Sequence, residues 1–247
     1  MIYVGTSGWQ YRHWRDGALY PKGLPQRAWL DYYVTRFPTV ELNNSFYRLP
    51  DESTFARFRE TVPRGFVFVV KASRYITHIR RLREAEDSVE LFWSRTTHLR
   101  DRLGPVLFQL PPNLRADPGL LKDFLGALPE GMRAAFEFRD DSWRTDEVWE
   151  LLDRAGAAWV LADRPGWRVP LIVTGGWSYV RFHQGRPAGS GYTADKLRRW
   201  ADKIAGLEAR DTFAYFNNDG EAAAPADATR LMALLNKRGL RVAPPRG

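Results

Sequence analysis

Eight short apolar runs, separated by stretches of helical periodicity, constrain the fold of this chain more than any other feature. The runs cover residues 2–6, 39–43, 66–71, 106–110, 134–139, 159–163, 178–183 and 212–217. Between them, apolar residues recur three and four apart, the spacing of one helix face. Val89, Phe92, Trp93, Thr96, Leu99 and Leu103 form one stripe, with Ser88 placed to cap it. Leu120, Leu121, Phe124, Leu125 and Leu128 form another, opened by Asp117 as N-cap and Pro118 in the first turn. Val148, Leu151, Leu152 and Ala155 run up to Gly156, which reads as a helix stop. Leu197, Trp200, Ala201 and Ile204 make a fourth stripe, and Leu231, Leu234 and Leu235 a fifth before Gly239.

Strands that alternate with helices through short links pair in parallel, and eight such units predict one α/β domain over residues 1–247, a closed (β/α)8 barrel of TIM type. One link departs from the pattern. Residues 164–177, "RPGWRVPLIVTGGW", hold two prolines and three glycines and leave no room for a helix, so the barrel should be irregular between strands six and seven. The final "APPRG" reads as a loose tail.

In a barrel, alternate residues of each strand face outward under the helices or inward. Val40 and Leu42 take the outer face of strand two, so Glu41 and Asn43 point inward. The same reasoning puts Lys71, Gln109, Glu137, Arg139, Asp163, Arg181, His183, Tyr215 and Asn217 inside, near the carboxyl ends of their strands. A barrel builds its active site at that end. A buried ionic network of purely structural role is the competing account, since carboxylates there can simply pair with Lys71, Arg139 and Arg181.

Composition narrows the chemistry. With 247 residues, 44% of them hydrophobic, the chain can bury a large core. It has no cysteine, which excludes disulfides, thiolate nucleophiles and thiolate metal sites. No apolar run approaches membrane-spanning length and no charged-then-apolar leader is evident, so a cytoplasmic, non-membrane protein is expected. A net charge of +8 favours anionic partners, either a small phosphorylated molecule or nucleic acid. Only 6 of the 37 basic residues are lysine, a bias that genome composition can also produce, so the placement of charge carries more weight than its total.

Several segments resemble the YecE-like family, a domain of unknown function. They are "VGTSGWQYRHW", "LYPKGLPQRAWLDYYVTRFPTVELNNSFYRLP", "ITHIRRL", "LGPVLFQLPP", "FEFRDDSW", "YVRFHQG" and "YFNND", spread over residues 1 to about 235. The resemblance implies a TIM-barrel fold and brings no settled reaction. Family members often carry Thr where this chain has Ser45, which keeps the hydroxyl.

Function must therefore be argued from the residues. After strand three, "KASRYITHIRRLRE" surrounds Tyr75 and Ile76 with Lys71, Arg74, His78, Arg80, Arg81 and Arg83. Arginine forks pair with phosphate, and a neighbouring aromatic can stack on a base or sugar. A solvated basic loop is the plainer account. The glycines of "GTSGW" would let backbone N–H groups approach an anion, and a tight strand-to-loop turn explains them equally well. Glu41, Glu137, Asp163 and His183 are donors suited to a divalent metal ion, which makes metal-assisted phosphoester hydrolysis the leading reaction, with His78 and His183 as proton carriers. Lys71, Arg139 and Arg181 would neutralise the phosphate, while Trp9, Asn43, Tyr47, Gln109, Tyr215 and Asn217 are candidate ligand contacts. Two alternatives stay open: a glycoside hydrolase using Glu41 and Glu137, and a non-catalytic nucleotide or nucleic-acid binder. The oligomeric state is not legible.

Overall fold

In the computed structural model, which describes residues 1–166, 168–183 and 191–246, the eight strands close into one barrel. They are β1 (Ile2–Ser7), β2 (Thr39–Leu42), β3 (Val67–Lys71), β4 (Leu103–Gln109), β5 (Ala134–Glu137), β6 (Ala158–Asp163), β7 (Ser178–Phe182) and β8 (Thr212–Phe216). Every neighbouring pair is parallel, and β8 closes against β1 with Gly5 level with Tyr215.

The helices α1 (Trp29–Val34), α2 (Asn44–Tyr47), α3 (Glu52–Thr61), α4 (Glu86–Thr96), α5 (Pro118–Gly126), α6 (Asp146–Arg154), α7 (Ala194–Ala205) and α8 (Ala223–Lys237) lie between and after the strands. Their ends follow local chemistry. Asp117 accepts a hydrogen bond from the Leu120 N–H at 3.0 Å, with Pro118 in the first turn. Gly156 and Gly239 follow α6 and α8 with positive φ, where a side chain would be strained. Ser88 is not the cap of α4. That helix starts two residues earlier, at Glu86 after Ala85, because its acidic first turn already favours the helix amino end. Leu99 falls in a 3-10 segment and Leu103 opens β4.

The β6–β7 link has no helix among its described residues. Thr174 fastens it to the barrel instead, accepting from the Trp159 N–H at 2.8 Å and donating to the Ala157 carbonyl at 2.7 Å. The tail corrects an expectation. It is pinned along β1: the Ile2 N–H donates to the Arg241 carbonyl and the Ala243 N–H to the Ile2 carbonyl, both at 2.8 Å, and Ala243 is buried. Prolines 244 and 245 lack an N–H, but they follow the pairing and do not interrupt it.

The core has two layers. Val69, Leu107, Ala135, Ala158, Val160, Ala162, Tyr179, Phe213 and Tyr215 fill the barrel interior. A larger apolar layer, including Val4, Val40, Phe68, Phe108, Phe136, Val180 and Phe216, packs the outer faces of the strands under the helices. Among the described residues no helix is long and apolar enough to cross a membrane.

Candidate functional site at the strand ends

One guanidinium organises the carboxyl end of the barrel. Arg181, from β7, is fully buried and spans the interior. Its Nη2 donates to Glu41 Oε1 of β2 at 2.7 Å, and its Nη1 donates to Glu137 Oε2 of β5 at 2.5 Å. The strand parity that aims these residues inward is the one read from Val40, Leu42, Phe136 and Phe138, all packed outside. Ser7 Oγ donates to Glu41 Oε1 at 2.7 Å and Tyr179 Oη to Glu41 Oε2 at 2.5 Å. Arg139 Nε donates to Glu137 Oε1 at 3.0 Å, and His183 Nε2 lies 3.1 Å from the same oxygen. His183 Nδ1 is 3.3 Å from the Asn217 amide, which suits a neutral ring accepting from Asn217 while its Nε2–H faces Glu137.

The electrostatics follow from this pairing. Burial pushes the Glu41 carboxyl up, but Arg181, Tyr179 and Ser7 together hold it below the ordinary carboxylate range. Burial acts on Glu137 likewise, and His183, Arg181 and Arg139 bring it well below that range. Burial lowers Arg181, and the two carboxylates more than restore it, so it stays charged. Desolvation outweighs Glu137 at His183 and depresses its pKa. Both carboxylates are therefore ionised and already partnered.

Lys71 differs. At the end of β3 it is 9% exposed, and of the six lysines it alone is buried. Its Nζ donates to Gln109 Oε1 at 2.9 Å and sits 4.0 Å over the Phe46 ring of α2. Among the described residues it forms no ion pair. Desolvation, then repulsion from Arg181, outweighs the attraction of Glu41 and Glu137 and lowers its pKa to about 8. His78 meets the same Phe46 ring edge-on at 5.0 Å. Burial first, then Lys71, Arg139, Arg74 and Arg81, lowers the His78 pKa, so it is neutral at neutral pH. The terminal nitrogens of Arg139 have no described partner.

The expected site residues are thus divided. Glu41, Lys71, Gln109, Glu137, Arg139, Arg181, His183 and Asn217 are linked in one network, with His78 beside it. Asp163 is not part of it. It shares the outward parity of Trp159 and Leu161, and its carboxylate lies 2.9 Å from Lys196 on α7. Tyr215 lies in the apolar layer beneath, its hydroxyl 2.6 Å from Thr39. Trp9 is buried edge-on to Phe58 and, with Gly8, Gln10, Tyr11, Asn43 and Asn44, lines a small separate cleft of about 150 Å³. Asn43 Oδ1 is buried there without a hydrogen-bond partner. Tyr47 stands exposed on the rim. Ser7 and Tyr179, which hold Glu41, were not predicted in that role. The alternation that placed Arg181 inside also places Tyr179 there.

Three further expectations change. The "GTSGW" turn offers no free anion nest at Gly8 or its hydroxyls: the Gly8 N–H is bonded to the Glu41 carbonyl at 2.8 Å, Thr6 is tied to Tyr33 and Ser7 to Glu41. In the basic loop, Arg80 pairs with Glu84, Arg81 bonds Asn113 and Arg83 approaches Asp117, so these arginines anchor the loop, while Arg74 stays on the side of His78. For the metal candidates Glu41, Glu137, Asp163 and His183, no three or more His, Asp or Glu among the described residues are placed to hold an ion. Arg181 occupies the two glutamates and Asp163 faces outward.

A larger cavity of about 470 Å³ lies at the opposite end, lined by Tyr3, Val67, Leu103, Arg133 and Phe213 among others. We place the chemistry at the carboxyl end despite its smaller cleft. At the amino end Arg133 is already used, paired with Asp211 and lying 4.5 Å over Trp177, and that end of a barrel serves stability.

These features define a parallel (β/α)8 barrel with a buried carboxylate–guanidinium–carboxylate bridge and, at its mouth, a lysine bonded to Gln109 with no ion pair among the described residues. Residues 3–247 match the family described as "Protein of unknown function DUF72", and the chain belongs to that family. It is 28% identical to the UPF0759 protein YunF of Bacillus subtilis, covering 96% of this chain and 95% of that one. To the UPF0759 protein YecE of Escherichia coli it is 32% identical, over 56% of this chain and 48% of the relative. The crystal structure of a DUF72 family protein from Thermotoga maritima superposes with a TM-score of 0.86 at 27% identity, covering 96% of this chain and 99% of that one.

Proposed function

We propose that the protein binds a phosphate-bearing anion at the mouth of the barrel. The supporting observation is Lys71, a buried cation with no carboxylate partner among the described residues, beside Arg139, whose terminal N–H groups have none there either. Burying a charge without a counter-ion is costly, and an incoming anion removes the cost. The two interior carboxylates do not supply it, because Arg181 bridges both and Arg139 also pairs with Glu137.

Hydrolysis of a phosphoester is the reaction this arrangement serves best. His78, kept neutral beside Lys71, is the group able to accept a proton, with His183 behind it. A metal-assisted route lacks a matching donor set among the described residues. The glycosidase reading is less favoured, since it needs one protonated carboxylic acid and both glutamates are held ionised.

Thermal unfolding with inorganic phosphate tests the binding step. Phosphate at 100 times its Kd should stabilise the wild type by about 2.7 kcal/mol. The gain should be lost in Lys71→Met and reduced in Arg139→Gln, and equal stabilisation of all three would overturn the reading. If the natural ligand is a polyanion, a fluorescent single-stranded oligonucleotide should bind with an affinity that falls steeply with salt.

A further inference from the structure

We propose that Lys71 is a nucleophilic amine that forms an imine with the carbonyl group of a phosphorylated aldehyde or ketone bound at the barrel mouth. The inference rests on the phosphate-binding reading and adds the substrate class and a covalent step.

Imine formation needs an amine that is accessible, oriented and able to lose its proton. Access comes from position: Lys71 ends β3 at the open end of the barrel and retains 9% exposure. Orientation comes from Gln109, whose Oε1 takes one N–H at 2.9 Å, and from the Phe46 face 4.0 Å away. These contacts restrain the amine without offering it a carboxylate. The groups that face it electrostatically are Arg181, Glu41, Glu137 and Arg139, and both carboxylates among them are bonded to Arg181. The net environment favours the free amine and brings its pKa to about 8. A lysine titrating there carries on the order of 100-fold more free amine at neutral pH than an ordinary one. An anion-binding role alone would favour an arginine at this position, because arginine keeps its charge when buried. This chain has 31 arginines and places a lysine here.

In the step itself, the Lys71 nitrogen attacks the carbonyl carbon and forms the C–N bond, while the carbonyl π electrons move to oxygen. The nitrogen gives up a proton and the oxygen gains one, producing a carbinolamine. The C–O bond then breaks, the oxygen leaves as water, and the second N–H proton is lost as C=N forms. One amine and one carbonyl give one imine and one water, with no oxidant or reductant. We assign the proton transfer between nitrogen and oxygen to His78, whose ring meets edge-on the Phe46 ring that Lys71 overlies and whose Nδ1 lies 2.9 Å from Thr77 Oγ1. Arg139 offers its terminal N–H groups to the phosphate.

The test is reductive trapping of the wild type with glycolaldehyde phosphate and sodium borohydride, read by intact mass and peptide mapping. The expected result is one adduct on Lys71, formed on the order of tenfold faster than on Lys22, Lys122, Lys203 or Lys237 and suppressed by inorganic phosphate. Lys71→Arg should give no adduct at that position. Labelling spread evenly over the exposed lysines overturns the imine while leaving phosphate binding standing. A Lys71 adduct formed equally fast with unphosphorylated glycolaldehyde, and insensitive to phosphate, overturns the phosphate-binding reading and with it the substrate class assigned here. Because the mapping is done on the wild type, its outcome does not depend on how a variant folds.

Discussion

At the residue scale, the barrel mouth is organised by an inequality: two carboxylates share one guanidinium, and the neighbouring amine has no anion. That amine should weaken the fold. The Lys71 pKa falls from 10.5 in a solvated chain to about 8 in the folded one, so below pH 8 both states hold the proton and the folded state bears the whole penalty. Between about 8 and 10.5 only the unfolded chain keeps the proton, and stability rises with pH across that window. Lys71→Met, measured by urea unfolding in phosphate-free buffer, should therefore stabilise the protein by about 3 kcal/mol at pH 7. The advantage over the wild type should shrink through the window and vanish above it. A gain that does not change with pH would mean that packing, not charge, is responsible. The residues behind this balance were largely legible beforehand, because Glu41, Glu137 and Arg181 each interrupt a clear inside–outside alternation. What alternation did not disclose was partnership. That Arg181 would take both glutamates and leave Lys71 without either depends on distances across the barrel.

At the scale of elements, the strands were readable to within three residues at either end, β4 starting at Leu103 against an expected 106, since each is a short apolar run between helical stripes. Strand β6 shows where that reading fails. "AWVLAD" is apolar at nearly every position, so a period of two has no clear phase in it, and the inside–outside parity carried over from the other strands put Asp163 inside. The small residues decide the matter. Ala135, Ala158 and Ala162 face inward and leave volume for Tyr179 and Tyr215, which turns Asp163 outward to Lys196. The "GTSGW" turn was ambiguous for a related reason, as glycine marks close approach without saying to what. At Gly5 the neighbour is β2: an added Cβ would lie 2.2 Å from the Thr39 carbonyl oxygen. Gly5→Ala should cost about 3 kcal/mol in chemical denaturation by forcing β1 away from β2. A loss below about 0.5 kcal/mol would show that the seam can relax.

At the scale of the whole molecule, the amino-terminal strand is held from two sides, by β8 and by the segment from Arg241 to Ala243. Proline-rich composition suggested a loose end, but composition does not register two backbone hydrogen bonds to a strand far away in sequence. Deleting residues 241–247 should remove about 3 kcal/mol, the two bonds to Ile2, the Arg246 N–H bond to the Val34 carbonyl and the Ala243 burial, and lower the melting temperature by roughly 6–12 °C. An unchanged melting curve would return the tail to the status of a passive extension. The bridge through Arg181 has a consequence of another kind, for descent. Replacing either glutamate alone leaves Arg181 in a one-to-one pair, whereas replacing Arg181 alone strands two buried carboxylates. A lineage should therefore shed one glutamate far more readily than the arginine between them.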